Sequence, residues 1–142
     1  MPSKRVHHCV SRIGNLIYIV GGFDDFSTCT DDCWSFDLQT GEWRVLPKMQ
    51  ERRAFHQMIA AGNSLFVFGG LTPLGYSDRV EKFDLEKQVW SYCARMPAKR
   101  SKHAACLIDF DFKGEKKFLK GGNGEKVEKV GKVGKWQERW KK

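Results

Sequence analysis

The sequence predicts an all-β chain assembled from repeated four-stranded antiparallel sheets. Three observations carry that prediction. Landmark residues recur every 47–48 positions. Short apolar or alternating runs are separated by turn residues, and no segment of residues 1–112 shows a sustained helical stripe.

The landmarks fall in one register. Gly21-Gly22, Gly69-Gly70 and Gly121-Gly122 recur at intervals of 48 and 52, and His8, His56 and His103 at 48 and 47. Phe36-Asp37-Leu38 returns as Phe83-Asp84-Leu85, and Trp43 as Trp90, each 47 residues on. Met1-Pro2-Ser3-Lys4-Arg5 matches Met96-Pro97-Ala98-Lys99-Arg100, with Met49 and Arg53 in the same places between them.

Within each period the residues read as four strands: A over 6–13, B over 15–21, C over 33–38 and D over 42–46. Leu16-Ile17-Tyr18-Ile19-Val20 and Leu65-Phe66-Val67-Phe68 are continuous apolar runs, as strands covered on both faces require. Trp34, Phe36 and Leu38 alternate, as a strand with one buried face does. Gly14-Asn15, Gly62-Asn63 and Thr40-Gly41 supply the turns.

Four antiparallel strands at this period describe a propeller blade. The Gly pair, the aromatic-Asp pair and the later Trp resemble the kelch repeat over residues 1–122. The chain therefore reads as a partial kelch β-propeller with two full blades, a degenerate third and a basic tail. The expected units are repeat 1 over 1–48, repeat 2 over 49–96, a partial repeat 3 over 97–122, and a low-complexity tail over 123–142. The third repeat departs from the pattern. His103 to Gly121 spans 18 residues against 13 in the first two, and no aromatic-Asp pair follows Gly122.

The repeated residues are expected to be structural. Gly21, Gly22, Gly69, Gly70, Gly121 and Gly122 close strand B, where a missing Cβ allows positive φ or close backbone approach. Trp43 and Trp90 are read as blade packing rather than ligand stacking. Burial of each contributes up to about 4–6 kcal/mol, before entropy. His7, His8 and Cys9 raise a metal reading, but a histidine recurring once per blade and lacking a second half-site argues for structure. The expectation is no metal and no cofactor. Cys29 and Cys33 are not expected to be redox-active, because Asp31 and Asp32 between them disfavour a thiolate. Five cysteines without paired CxxC spacing read as reduced thiols. No nucleophile-elbow, phosphate-loop or HExxH motif is present, so no catalytic residue is assigned and the chain is read as a non-enzyme.

Strand alternation places the B–C and D–A connections at one end of each blade. The B–C loops are long, Phe23 to Asp32 and Leu71 to Asp78. Long loops on a rigid scaffold are where recognition resides. The predicted partner-binding residues are Phe23, Asp24, Asp25, Phe26 and Thr28, then Leu71, Thr72, Pro73, Leu74 and Tyr76, with Arg52 and Lys99 from the D–A joints. Arg53 and Arg100 lie in the same joints but belong to the repeat. The resemblance implies a protein-interaction module, the substrate-recognition part of a BTB-kelch adaptor for a cullin ubiquitin ligase, without a BTB or BACK domain here. The alternative it implies is an actin-binding or cytoskeletal scaffold.

Charge adds little to this reading. Residues 113–142 hold 11 Lys/Arg against 4 Asp/Glu, so +7 of the net +8 belongs to the tail. A nucleic-acid groove across the body is not expected, and tail contacts with acidic surfaces would be nonspecific. Val127, Val130, Val133, Trp136 and Trp140 form a helical stripe broken by Gly131 and Gly134, so a frayed tail, a marginal helix and an outer strand pair all remain open. Nothing resembles a membrane span or a secretory signal, and a cytoplasmic location is expected. Met1-Pro2 aligning with Met96-Pro97 suggests a first residue interior to a longer relative. Open blade edges predict self-association or the need for a partner.

Overall fold

The computed structural model describes residues 1–107 and, beyond them, the backbone of two strands at 118–120 and 126–128. The chain divides into two compact units, Met1–Leu107 and Ile108–Lys142. In the first, β1 (Cys9–Ile13), β2 (Leu16–Val20), β3 (Cys33–Asp37) and β4 (Trp43–Leu46) form blade 1 in chain order. Next come β5 (Gln57–Ala61), β6 (Ser64–Phe68), the short hairpin β7 (Leu71–Thr72) and β8 (Gly75–Tyr76), then β9 (Val80–Asp84) and β10 (Val89–Tyr92). Blade 2 is the antiparallel sheet β5-β6-β9-β10, with the hairpin standing outside it. In the second unit β11 (Phe118–Lys120) pairs antiparallel with β12 (Lys126–Glu128). There are no helices among the described residues, which form an all-β fold with two four-stranded antiparallel blades.

The two blades share one register. Ile13 faces Leu16 across Gly14-Asn15, and Ala61 faces Ser64 across Gly62-Asn63, with Gly14 and Gly62 at φ 57° and 56°. Ile17 opposes Phe36 as Leu65 opposes Phe83. The Asp of each aromatic-Asp pair caps the next turn: Asp37 Oδ1 accepts from Gln39 N at 2.8 Å, and Asp84 Oδ1 from Glu86 N at 3.1 Å. Strand A is shorter than its predicted 6–13 span. His7 turns to φ 55°, which a β ladder cannot absorb, and Val6 pairs instead with Phe23. In the tail, β12 puts a strand where the sequence left helix, strand and disorder open; the other tail residues lie outside the described residues, as do Gly121 and Gly122.

The core is the joint between the blades. Alternation turns Cys9, Tyr18, Val20 and Cys33 of blade 1 toward Met58, Leu65, Val67, Phe83 and Trp90 of blade 2, and Met49 of the connecting segment completes the cluster. Trp90 Nε1 donates to Pro47 O at 2.7 Å, and Gln50 Nε2 donates to Trp90 O at 3.1 Å. The backbone approaches closely at the Gly pair. Gly22 N donates to Arg53 O at 2.8 Å, and a Cβ on Gly21 would lie 2.6 Å from that same oxygen. Gly69 and Gly70 repeat the contact against Arg100.

Candidate functional site

The long loops and the repeat connections meet at one end of the blades. Val6 bridges Phe23, and Ala54 bridges Leu71, so each β2–β3 or β6–β9 loop pairs with the segment leading into its own first strand. Cys29 Sγ of the first loop donates to Leu71 O of the second at 3.4 Å, which sets the two loops side by side.

Each loop is braced from within. Asp24 Oδ1 accepts from Phe26 N and Thr28 N, both at 2.9 Å, and this local clasp leaves the Phe26 ring standing outward, 87% exposed. Asp25 is exposed beside it. In the second loop Thr72 Oγ1 donates to Gly75 O at 2.8 Å and accepts from Leu74 N at 3.2 Å. That hairpin presents Pro73, Leu74 and Tyr76, the last two 98% and 60% exposed. Leu71 is half-buried, tied to Ala54 by two backbone bonds. Phe23 is also half-buried, edge-on to Phe55 and His7 at centroid separations of 5.6 and 6.2 Å. Asp24 and Phe23 therefore brace the surface, whereas Phe26, Pro73, Leu74 and Tyr76 face outward.

The basic residues of the joints separate in the same way. Arg52 and Lys99 are exposed, and Arg52 reaches Asp31 at 3.8 Å. Arg53 is wholly buried. Its Nη2 pairs with Glu81 at 2.6 Å and Glu51 at 2.9 Å, and its Nη1 donates to Gly69 O at 2.7 Å. Glu81 Oε2 and Oε1 accept in turn from Gln50 N and Glu51 N. At the same step of blade 1, Arg5 stacks over Trp34 at 4.7 Å and pairs with Asp32. Arg100 is exposed.

Three residues that the sequence did not place in the contact surface lie at this end. His7, Phe55 and Lys102 immediately precede the repeated histidines, with φ of 55°, 53° and 51°. Phe55 N donates to His7 O at 3.1 Å and Lys102 N to Phe55 O at 2.9 Å, a backbone stair from repeat to repeat. The His7 ring lies 4.0 Å from that of Phe55, and Lys102 Nζ sits 4.7 Å over the Phe55 ring. Only a Gly or Asn at these positions would have betrayed the positive φ, and neither is there.

Burial governs the titratable groups at this end. His56 is buried, and burial, reinforced by the Arg53 charge, lowers its pKa to about 3. Neither of its ring nitrogens has a partner among the described residues. Burial likewise lowers His8 and His103. The Cys9 and Cys33 thiols are pushed up to about 12 by burial, and Cys29 is raised for the same reason. No group of three His, Cys, Asp or Glu among the described residues is placed to hold a metal ion, and no helix among them is long and apolar enough to cross a membrane. What this end offers is noncovalent contact: exposed aromatic and aliphatic side chains on braced loops, with basic residues alongside.

A family model for the KLHDC2/KLHL20/DRC7 Kelch-repeats domain matches residues 1–131. The chain belongs to the kelch-repeat family. Domains of this family are typically non-enzymatic interaction modules. Kelch-like protein 26 of Danio rerio is 28% identical over 126 residues, covering 86% of this chain and 20% of the relative. Kelch domain-containing protein 3 of Rattus norvegicus is 27% identical over 139 residues, covering 87% and 35%. The tRNA wybutosine-synthesizing protein 2/3/4 of Arabidopsis thaliana is 32% identical over 82 residues, covering 56% of this kelch chain and 8% of the relative. The chain thus spans about a third or less of each of these relatives.

Proposed function

We propose that this kelch chain is a non-enzymatic protein-binding module that takes its partner at the end of the blades where the β2–β3 and β6–β9 loops lie side by side. The observation that carries the reading is the outward placement of Phe26, Leu74 and Tyr76 on loops braced by Asp24 and Thr72. A large exposed apolar side chain on an ordered loop costs solvation and gains little for the fold, and aromatic anchors of this kind dominate interface energetics. Arg52 and Lys99 supply charge at the rim. The finer reading is recognition of ubiquitination substrates in the manner of a BTB-kelch cullin-ligase adaptor, in the cytoplasm. It rests on the repeat resemblance and on kelch-like relatives such as Kelch-like protein 26.

The test is affinity capture with the chain carrying Phe26→Ser, Leu74→Ser and Tyr76→Ser together. Partner recovery should fall at least about tenfold while circular dichroism and the urea midpoint stay at wild-type values. Undiminished recovery on an intact fold would move the contact surface elsewhere. Co-sedimentation with actin filaments, rather than capture of a ligase substrate, would favour the scaffold alternative.

A further inference from the structure

The linker between the blades is bonded to the loop that carries Phe26. Met49 N donates to Asp31 O at 2.9 Å, and Arg53 N donates to Thr30 O at 3.0 Å. Lys48 and Arg52 therefore sit beside that loop, and both reach the carboxylates at its end. Lys48 Nζ lies 3.0 Å from Asp31 and 3.2 Å from Asp32, and Arg52 Nε lies 3.8 Å from Asp31. In the same joint Arg79 Nε lies 3.0 Å from Glu51.

Formal charge nearly cancels in these pairs, yet the two signs are layered. The Lys48 and Arg52 side chains are 61% and 59% exposed, whereas those of Asp31 and Asp32 are 21% and 23% exposed. Arg79 is likewise more open than Glu51. The cations stand outward and the carboxylates lie under them, so an approaching partner meets positive charge first. Asp31 and Asp32 are moreover shared among Arg5, Lys48 and Arg52, three cations on two carboxylates. The layering is a property of the repeat step, since Arg95 pairs with Asp78 at 3.0 Å, 47 residues on from Lys48 and Asp31. Asp25 stands exposed beside Phe26 and repels anions from the loop tip, which confines them to the linker side.

We infer that the partner of the loop end is a protein segment in which acidic residues flank an apolar one. Its carboxylates meet Lys48, Arg52 and Arg79, and its apolar side chain meets Phe26. This rests on the loop-end contact proposed above and adds the partner's chemistry to it. A nucleic-acid strand fits less well. Phosphate binding scales with the number of cations that neutralise it, and only +1 of the net +8 lies outside the tail.

Selection from a random peptide library by the immobilised full chain tests this. Enriched peptides should carry Asp or Glu around Leu, Ile or Phe. A synthetic peptide of that kind should bind at least about tenfold more tightly than its Asn/Gln analogue at low salt, with the gap closing as salt rises. Lys48→Gln with Arg52→Gln, both exposed and with the fold checked by circular dichroism, should lower the acidic peptide to the affinity of its analogue. No enrichment, enrichment without acidic residues, or acidic binding that survives the double variant overturns the inference. So does a polyuridine strand that binds through Lys48 and Arg52 more tightly than the peptide. The Phe26→Ser, Leu74→Ser and Tyr76→Ser chain separates the two readings. Acidic-peptide binding that needs Lys48 and Arg52 but ignores this variant contradicts the loop contact. A captured partner lost in this variant, with no acidic preference in the library, overturns the acidic segment and leaves the loop contact standing.

Discussion

Trp43 and Trp90 stand at the same step of successive repeats, each stacked on the phenylalanine of its aromatic-Asp pair at 4.8 and 4.9 Å. Trp90 is 5% exposed and its indole is bonded to Pro47, while Trp43 is only half-buried. The charged step differs just as much. Arg53 is sealed against Glu81 and Glu51, whereas Arg5 lies on the face of Trp34 and pairs with the partly exposed Asp32. A repeat landmark thus fixes where a residue sits, and the neighbouring blade decides what it contributes. Stability should concentrate in the joint, leaving the loops free for recognition.

The sharpest way to break that contrast is at the ion pairs. Glu81→Ala leaves the buried Arg53 guanidinium with Glu51 as its remaining carboxylate and removes the acceptor for Gln50 N and Glu51 N, so urea unfolding should show a loss of about 3–5 kcal/mol. Asp32→Ala, at the blade 1 pair whose carboxylate is partly exposed, should cost about 1–2 kcal/mol, because Arg5 keeps its contact with Trp34.

A smaller effect comes from His56. Its folded pKa is depressed below the unfolded value, so the unfolded chain takes up a proton that the folded chain refuses. Its contribution is complete above about pH 6.5 and is lost progressively as pH falls toward 3. Unfolding free energies from urea titrations between pH 7.5 and 5 should decline by up to about 1.4 kcal/mol per pH unit below pH 6.5, with His8 and His103 adding in the same direction. A flat profile over that window would mean that His56 reaches solvent or a proton acceptor in the folded chain.

The period, the strand runs and the glycine contacts were legible because each is a local pattern that the repeat amplifies. The loop end was legible from strand alternation alone. What the sequence hid depends on long-range pairing. Glu81 lies between Val80 and Lys82 and looks like a solvent-facing strand residue until Arg53 reaches it from another segment. The β7–β8 hairpin is only two residues per strand, too short for a periodic signal. Phe23 and Asp24 have the composition of contact residues, yet their interactions lie within the loop end itself: Phe23 against His7 and Phe55, Asp24 against the Phe26 and Thr28 amides.

Matched urea unfolding of Trp43→Ala and Trp90→Ala weighs the same residue at the same repeat step where it is half-buried and where the other blade buries it. Trp90→Ala should lose about 3–5 kcal/mol and exceed Trp43→Ala by about 2 kcal/mol. Equal losses would mean that each blade holds its tryptophan unaided and that the joint is not what stabilises the fold.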